Sequence, residues 1–266
     1  MLYKFQLSGE NHKLAKFELE TLLGKKLRRK EEFVSVDLNL SEKQVYALCN
    51  RSAMIKKCYF DSKKIWAAKS DKRFVGREPK KKLKSHPAML KPKLARLLIN
   101  LTGAKKQLLD PFCGTGSVLI EADVLGLKPI GSDIERKMVW YSTLNMEQFK
   151  VKAKLIELDA TKLETAFKAN SIEAIACDPP YGKSSTLAGK KIQELYPQFL
   201  ESALKILKQG SRLAMIRPHY LKLKIPKGWK KLGEFDWYVH GGLIRKILIL
   251  KKLQVKLTNK DATAVC

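Results

Sequence analysis

The sequence predicts an α/β chain: a mainly parallel, nucleotide-binding sheet closed by an antiparallel C-terminal hairpin, behind a small N-terminal α/β module. Three observations carry this. First, a short apolar strand, Gln107-Leu108-Leu109-Asp110, enters a tight glycine turn, Pro111-Phe112-Cys113-Gly114-Thr115-Gly116, and a helix follows over 117–125. Second, an apolar strand over 171–177 runs into Asp178-Pro179-Pro180-Tyr181-Gly182. Third, residues 235–240 and 243–250 flank Gly241-Gly242, as a hairpin does.

The elements follow in order. Residues 2–7 alternate like a strand, and Asn11 can cap a helix that ends at Gly24, with Ala15, Leu19, Leu22 and Leu23 on one face. Val34, Val36, Leu38 and Leu40 alternate with polar residues, which predicts a strand over 33–40. Ser41-Glu42-Lys43-Gln44 is a capping-box pattern and opens a helix to about 52. One further strand is expected over 55–66. This order suggests a ferredoxin-like module over 1–68, either an RNA platform or a packing domain, with no catalytic constellation. Residues 69–92 form a basic linker, with Lys69, Lys72, Arg73, Arg77, Lys80, Lys81, Lys82 and Lys84 against Asp71 and Glu78. It reads as a solvated charge run or as a strap contacting phosphates.

Residues 93–258 make the second domain, and 259–266 a tail. Its helix over 93–101 is closed by Gly103, and further strands are expected over 129–132, 154–158 and 212–216. The polar loop 183–190 reads as a lid. Helical spacing covers 192–207, with Gly210 as its stop.

Composition narrows the function. The chain has 266 residues, 45% of them hydrophobic, so it can bury a real core. Its 53 Lys and Arg against 26 Asp and Glu give a net charge of +27. A polyanionic partner, nucleic acid before membrane, is the default reading; lysine enrichment through compositional or thermal bias is the other. The five cysteines (49, 58, 113, 177, 266) and four histidines (12, 86, 219, 240) lack metal-ligand spacing. A reduced cytoplasmic protein with no metal is expected. No signal-peptide core and no bilayer-length apolar run is present.

The two motifs carry the chemistry. Prolines lack an N–H and fix φ, so the chain after Asp178 is stiff and its carbonyls are expected to stay unpaired. The Asp178 carboxylate and the Pro179 carbonyl can each accept one N–H of a planar exocyclic amine, while Tyr181 stacks on the ring that carries it. In the glycine turn, Gly114 and Gly116 let backbone approach a ligand. Asp110 repels phosphate there and suits an ammonium. Asp133, after the next strand, stands near the spacing at which an acid meets ribose hydroxyls. Asp159-Ala160 can meet an adenine edge or be a surface turn. A dinucleotide fingerprint is weakened by Leu119 where a third glycine belongs, and a P-loop ending at Gly182-Lys183-Ser184 fails at Cys177.

Asp110-Pro111-Phe112-Cys113-Gly114-Thr115-Gly116, then Asp133, then Asp178-Pro179-Pro180-Tyr181, resembles a class I S-adenosylmethionine-dependent methyltransferase with a Rossmann-like sheet. More finely, the chain is similar to the archaeal tRNA guanine-N2 methyltransferases that act on guanine-10, the THUMP-containing family. Phe5 to Glu10, Arg73 to Pro79, His86-Pro87, Leu90 to Arg96, Tyr181 to Ser185, Val239-His240 and Leu243-Ile244-Arg245 carry that likeness. It covers the linker and the last two-thirds of the chain, and the first 66 residues weakly. About 70 residues precede the linker, too few for both a ferredoxin-like piece and a THUMP core, so the THUMP core is expected to be missing. Basic charge, or a partner subunit, would then anchor tRNA.

The resemblance implies the cofactor S-adenosylmethionine and assigns its contacts. Pro92 covers its edge. Asp110, Pro111, Cys113, Gly114, Thr115 and Gly116 cradle the methionine end. Asp133 and Ile134 meet the ribose, and Asp159 and Ala160 the adenine. Asp178, Pro179, Pro180 and Tyr181 form the catalytic corner, and Asp178 also borders the cofactor. RNA contacts are expected from Arg73, Arg77, Lys80, Lys81, Lys82, Lys183, His240 and Arg245, the last two either touching RNA or packing structurally. Methylation of N2 of a guanine in tRNA is the leading reading. The alternatives are an rRNA guanine-N2 or DNA adenine-N6 methyltransferase, a protein-glutamine methyltransferase, or an inert RNA-binding subunit.

Overall fold

The computed structural model of the chain describes residues 1–27, 33–68, 73–77, 89–182, 191–240 and 243–254, with His240 and Leu243 described in their backbone alone. The elements are β1 (Leu2–Leu7), α1 (His12–Leu23), β2 (Phe33–Asp37), α2 (Glu42–Arg51), β3 (Ile55–Phe60), β4 (Lys63–Ala67), α3 (Pro92–Thr102), β5 (Gln107–Asp110), α4 (Ser117–Val124), β6 (Lys128–Asp133), α5 (Arg136–Phe149) and β7 (Lys154–Glu157). A 3-10 segment (Ala160–Thr165), β8 (Ile172–Cys177), α6 (Ile192–Ile206), β9 (Leu207–Pro218), β10 (Trp229–His240) and β11 (Leu243–Lys252) complete the chain.

Seven strands form the large sheet in the order β10-β11-β9-β8-β5-β6-β7. From β9 to β7 all neighbours are parallel, and β11 is antiparallel to both β9 and β10. The chain leaves β5 outward to β6 and β7, then crosses to β8 on the other side of β5. That reversal opens a crevice beyond the carboxyl ends of β5 and β8, where ligands of open α/β sheets bind. The parallel strands are apolar because both of their faces are covered. The small Ala174, Ala176 and Ala214 share a cluster with Leu97 and Leu98 of α3. The larger Ile175, Leu213 and Met215 alternate with them and pack with Tyr196 and Phe199 of α6.

The N-terminal module is a four-stranded sheet, β2-β1-β3-β4, with every neighbour antiparallel. Its buried face alternates through Phe5, Leu7, Val34 and Val36. Helix α3 joins module to sheet and is buried nearly all round, from Leu94 to Thr102. The joint is also polar. The buried carboxylate of Glu18 on α1 accepts from Ser52 Oγ at 2.6 Å, Ala53 N at 2.8 Å, Met54 N at 3.0 Å and Asn100 Nδ2 at 2.8 Å. Burial raises its pKa against those four donors. Nearer the large sheet, Phe17 meets Phe235 with ring centres 5.5 Å apart.

Five elements differ from expectation. The strand over 55–66 is two strands, because Asp61 (φ 43°) and Ser62 (φ 64°) make a tight turn with both residues left-handed. Gly210 does not stop α6, which ends at Ile206 and passes directly into β9; Gly210 (φ 75°) lies where the β8–β9 register shifts. β10 begins at Trp229, earlier than 235. Helix α5 and the 3-10 segment were not anticipated.

Candidate active site

The turn after β5 is built from backbone. Cys113 N donates to Ser132 O at 2.9 Å, and Gly116 N to Cys113 O at 2.8 Å. Asn145 Nδ2 on α5 donates to Thr115 O at 2.8 Å. Gly116 has φ 91°, and a Cβ there would stand 2.6 Å from Met146 Cε and 2.8 Å from Ser142 Oγ. The glycine is therefore needed twice, for its backbone angle and for the closeness of α5. Gly114 (φ 50°) instead faces open space: a Cβ there would meet nothing within 4 Å. Leu119, at the position of the absent third glycine, packs where Gly131 leaves room; a Cβ on Gly131 would lie 2.6 Å from Leu119 Cδ1.

Carboxylates stand beyond the ends of four neighbouring parallel strands. Asp110 ends β5, is 2% exposed, and accepts from Phe112 N at 3.1 Å. Burial raises its pKa well above normal, and the nearby charges of Asp133 and Asp178 push the same way. Such a buried acid suits a cationic ligand group. Asp133 ends β6 and accepts from Gly114 N at 2.9 Å and Glu135 N at 3.0 Å; burial raises its pKa too. A carboxylate has about four lone-pair directions, so both acids keep acceptor capacity. Ile134 beside Asp133 is exposed. Asp159, after β7, caps the 3-10 segment by accepting from Thr161 N and Thr161 Oγ1, each at 2.8 Å. Ala160 next to it is buried, as is Pro92 at the first position of α3.

The fourth carboxylate is Asp178, just past β8. Tyr181 OH donates to Asp178 Oδ1. Arg245 Nη1 from β11 lies 3.6 Å from Asp178 Oδ2, and its Cζ is 5.0 Å from the centre of the Tyr181 ring. Burial raises the Asp178 pKa to about 6, against the Tyr181 hydrogen bond and the Arg245 charge. The proline carbonyls are not wholly unpaired, which corrects the sequence reading. Tyr196 OH from α6 lies 3.5 Å from Pro179 O and 3.4 Å from Pro180 O. One hydroxyl proton serves two long contacts, so Pro179 O keeps a lone pair for a further donor. Tyr220 OH donates to Tyr181 O at 2.8 Å and anchors the end of the corner.

Asp110, Asp133 and Asp178 thus converge at the switch point. The expected RNA-contacting residues divide differently. Arg73 donates to Cys49 O at 3.3 Å and Ser52 O at 3.0 Å and lies over Trp66 and Phe74. Arg77 pairs with Glu121, a fully buried acid also bound by Arg96 at 2.7 Å. Arg73 is thus engaged with the N-terminal module, and Arg77 with the buried Glu121 of α4, which needs cations. Arg245 belongs to the Asp178 corner. Lys80, Lys81, Lys82, Lys183, the 183–190 loop and the side chain of His240 lie outside the described residues. Tyr196, Tyr220 and Asn145 escaped the sequence reading: each reaches the site from a distant element and sits in no motif.

A sheet of this order, with a glycine turn after its first parallel strand and an Asp-Pro-Pro-Tyr corner after its fourth, is that of a class I methyltransferase, whose methyl donor is S-adenosylmethionine. TrmN from Thermus thermophilus shares the fold, with a TM-score of 0.58 at 16% identity over 95% of this chain and 100% of that one. Residues 79–225 match the family described as UPF0020, RMKL-like, methyltransferase domain. The chain belongs to that family. It is 39% identical to the tRNA (guanine(10)-N2)-dimethyltransferase of Pyrococcus abyssi over 198 residues, 71% of this chain and 59% of that protein. It is 36% identical to the enzyme of the same name from Methanothermobacter thermautotrophicus, over 69% of this chain and 55% of that protein. The resemblance read from the motifs is borne out. The matched stretch spans little more than half the length of these relatives. No described helix is long and apolar enough to cross a membrane. Among the described residues no group of three His, Cys, Asp or Glu side chains can hold a metal ion.

Proposed function

We propose that the chain transfers one or two methyl groups from S-adenosylmethionine to the exocyclic N2 of a guanine in tRNA, with guanine-10 as the target. The observation that carries this is the Asp178-Pro179 corner facing the same crevice as the Asp110–Gly116 turn. When bound, S-adenosylmethionine supplies an electrophilic methyl on a sulfonium. Its fit is supported by Asp110, a buried acid short of partners, and by Gly114, whose backbone faces open space. In this reading Asp110 holds the ammonium, and Pro111, Cys113, Thr115 and Gly116 shape the turn around the methionine end. Asp133 takes the ribose hydroxyls with Ile134 beside them, Asp159 and Ala160 meet the adenine, and Pro92 closes the edge.

The target guanine leaves its stack to enter the crevice. Asp178 accepts one N–H of its amine and the Pro179 carbonyl the other, which fixes the nitrogen and leaves its lone pair free. Pro180 keeps the corner stiff, and Tyr181 lies against the ring. The amine proton released on methylation passes to Asp178 or to water. Orientation of this kind contributes on the order of 7–11 kcal/mol in well-aligned reactions. Lys80, Lys81, Lys82, Lys183 and His240 are proposed as RNA contacts, and a partner subunit as a further RNA anchor.

The purified chain, given unmodified tRNA and S-adenosylmethionine, tests this. Mass spectrometry should find N2-methylated guanosine, mapped to position 10 on wild-type substrate. Methylated adenine in DNA, methylation confined to rRNA, or no transfer with any nucleic acid contradicts it.

A further inference from the structure

Arg245 carries more than its place in a motif explains. It lies in β11, opposite Trp237 of β10 and Pro218 of β9, and reaches the corner from the antiparallel edge of the sheet. Its side chain is 19% exposed, yet Nε is buried with no hydrogen-bond partner and its pair with Asp178 is long, at 3.6 Å. Arg77, paired with Glu121, also has a buried nitrogen without a hydrogen bond, so what sets Arg245 apart is its place: over the Tyr181 ring and beside the Asp178 carboxylate, at the end of the catalytic corner. Resting on the function proposed above, we propose that Arg245 is a positioning residue for the methyl acceptor: it covers one face of Tyr181 and pairs with Asp178, so that the target base stacks on the opposite face beside an ionised carboxylate.

The arrangement has a physical logic. A flat guanidinium over Tyr181 blocks that face to any base and fixes the tilt of the ring. The same cation opposes the effect of burial on Asp178. The other groups near Asp178 do not replace it. Tyr181 OH donates from the same loop, Tyr196 and Tyr220 are phenols from α6 and the segment after β9, and Asp110 at the end of β5 is a like charge. Arg217 on β9 is committed to Glu234 at 2.6 Å and to the carbonyls of Pro218 and Leu221. Among the described residues, the cation paired with Asp178 is Arg245.

The test is a carbon-13 titration of the Asp178 carboxyl in the whole chain, alongside the pH profile of methyl transfer to tRNA. In Arg245→Gln the Asp178 midpoint should rise by about one pH unit or more, as loss of an adjacent opposite charge requires. The acid limb of the kcat profile should move by the same amount, with the KM for tRNA little changed. An unmoved midpoint, or a raised KM with an unmoved acid limb, overturns the proposal; the second result makes Arg245 an RNA contact. Should Arg245→Gln not fold, Arg245→Lys keeps the charge but cannot lie flat on the ring. It should hold the midpoint and lose kcat, and full wild-type kcat overturns the proposal. If the wild type methylates no tRNA, the proposed function falls, while the carboxyl titration still tests Arg245.

Discussion

Asp178 is under opposed pulls. Burial drives its carboxyl toward the neutral form, while Tyr181 OH and Arg245 hold it ionised, with the balance at about 6. Only the ionised form offers both oxygens as acceptors, so transfer should fall as pH drops through about 6 and be flat above it. A rate–pH profile with no acid limb in that range would contradict this assignment. Asp133 has a different task. Asp133→Ala should weaken donor binding roughly tenfold or more, since hydrogen bonds to a charged group are worth about 1.5–3 kcal/mol; calorimetry reads this directly. These acids were legible because each stands in a compact motif at a strand end. The phenols of Tyr196 and Tyr220, and the duty of Arg245, were not. They depend on contacts between segments far apart in the chain.

The turn before α4 depends on Gly116. Gly116→Ala should cost about 1–3 kcal/mol, as strained backbone typically does, and lower donor affinity. Thermal unfolding should show the loss, and an unchanged melting temperature would mean that α5 yields. Helix α3 and its polar joint make a second test. Glu121→Gln leaves the buried Arg96 and the half-buried Arg77 without their anion, and breaking such a buried pair costs about 3–5 kcal/mol. Urea denaturation should give that loss with the module and the large sheet still unfolding together. Strands and helices with a clean apolar period were legible. Helix α5 was not, because its buried face is Ser142, Asn145 and Met146, two of them polar. The turn at Asp61 and Ser62 was missed because it takes left-handed backbone with no glycine to announce it.

At the scale of the molecule, the charge of +27 predicts steep salt dependence of RNA binding. Each phosphate neutralised contributes roughly 0.7–0.9 to the log–log slope. Lys80, Lys81 and Lys82 changed together to Ala should make the slope shallower, and an identical slope would return them to a solvated charge run. Arg73 holds backbone carbonyls of the N-terminal module and Arg77 the buried Glu121, so their loss should show first in stability. The central claim is that the corner after β8 grips the amine that receives the methyl. The most direct measurement is transfer of labelled methyl to tRNA by Asp178→Ala, with S-adenosylmethionine affinity measured on the same protein. The account predicts transfer abolished and affinity nearly intact; undiminished transfer with that carboxylate gone would contradict it.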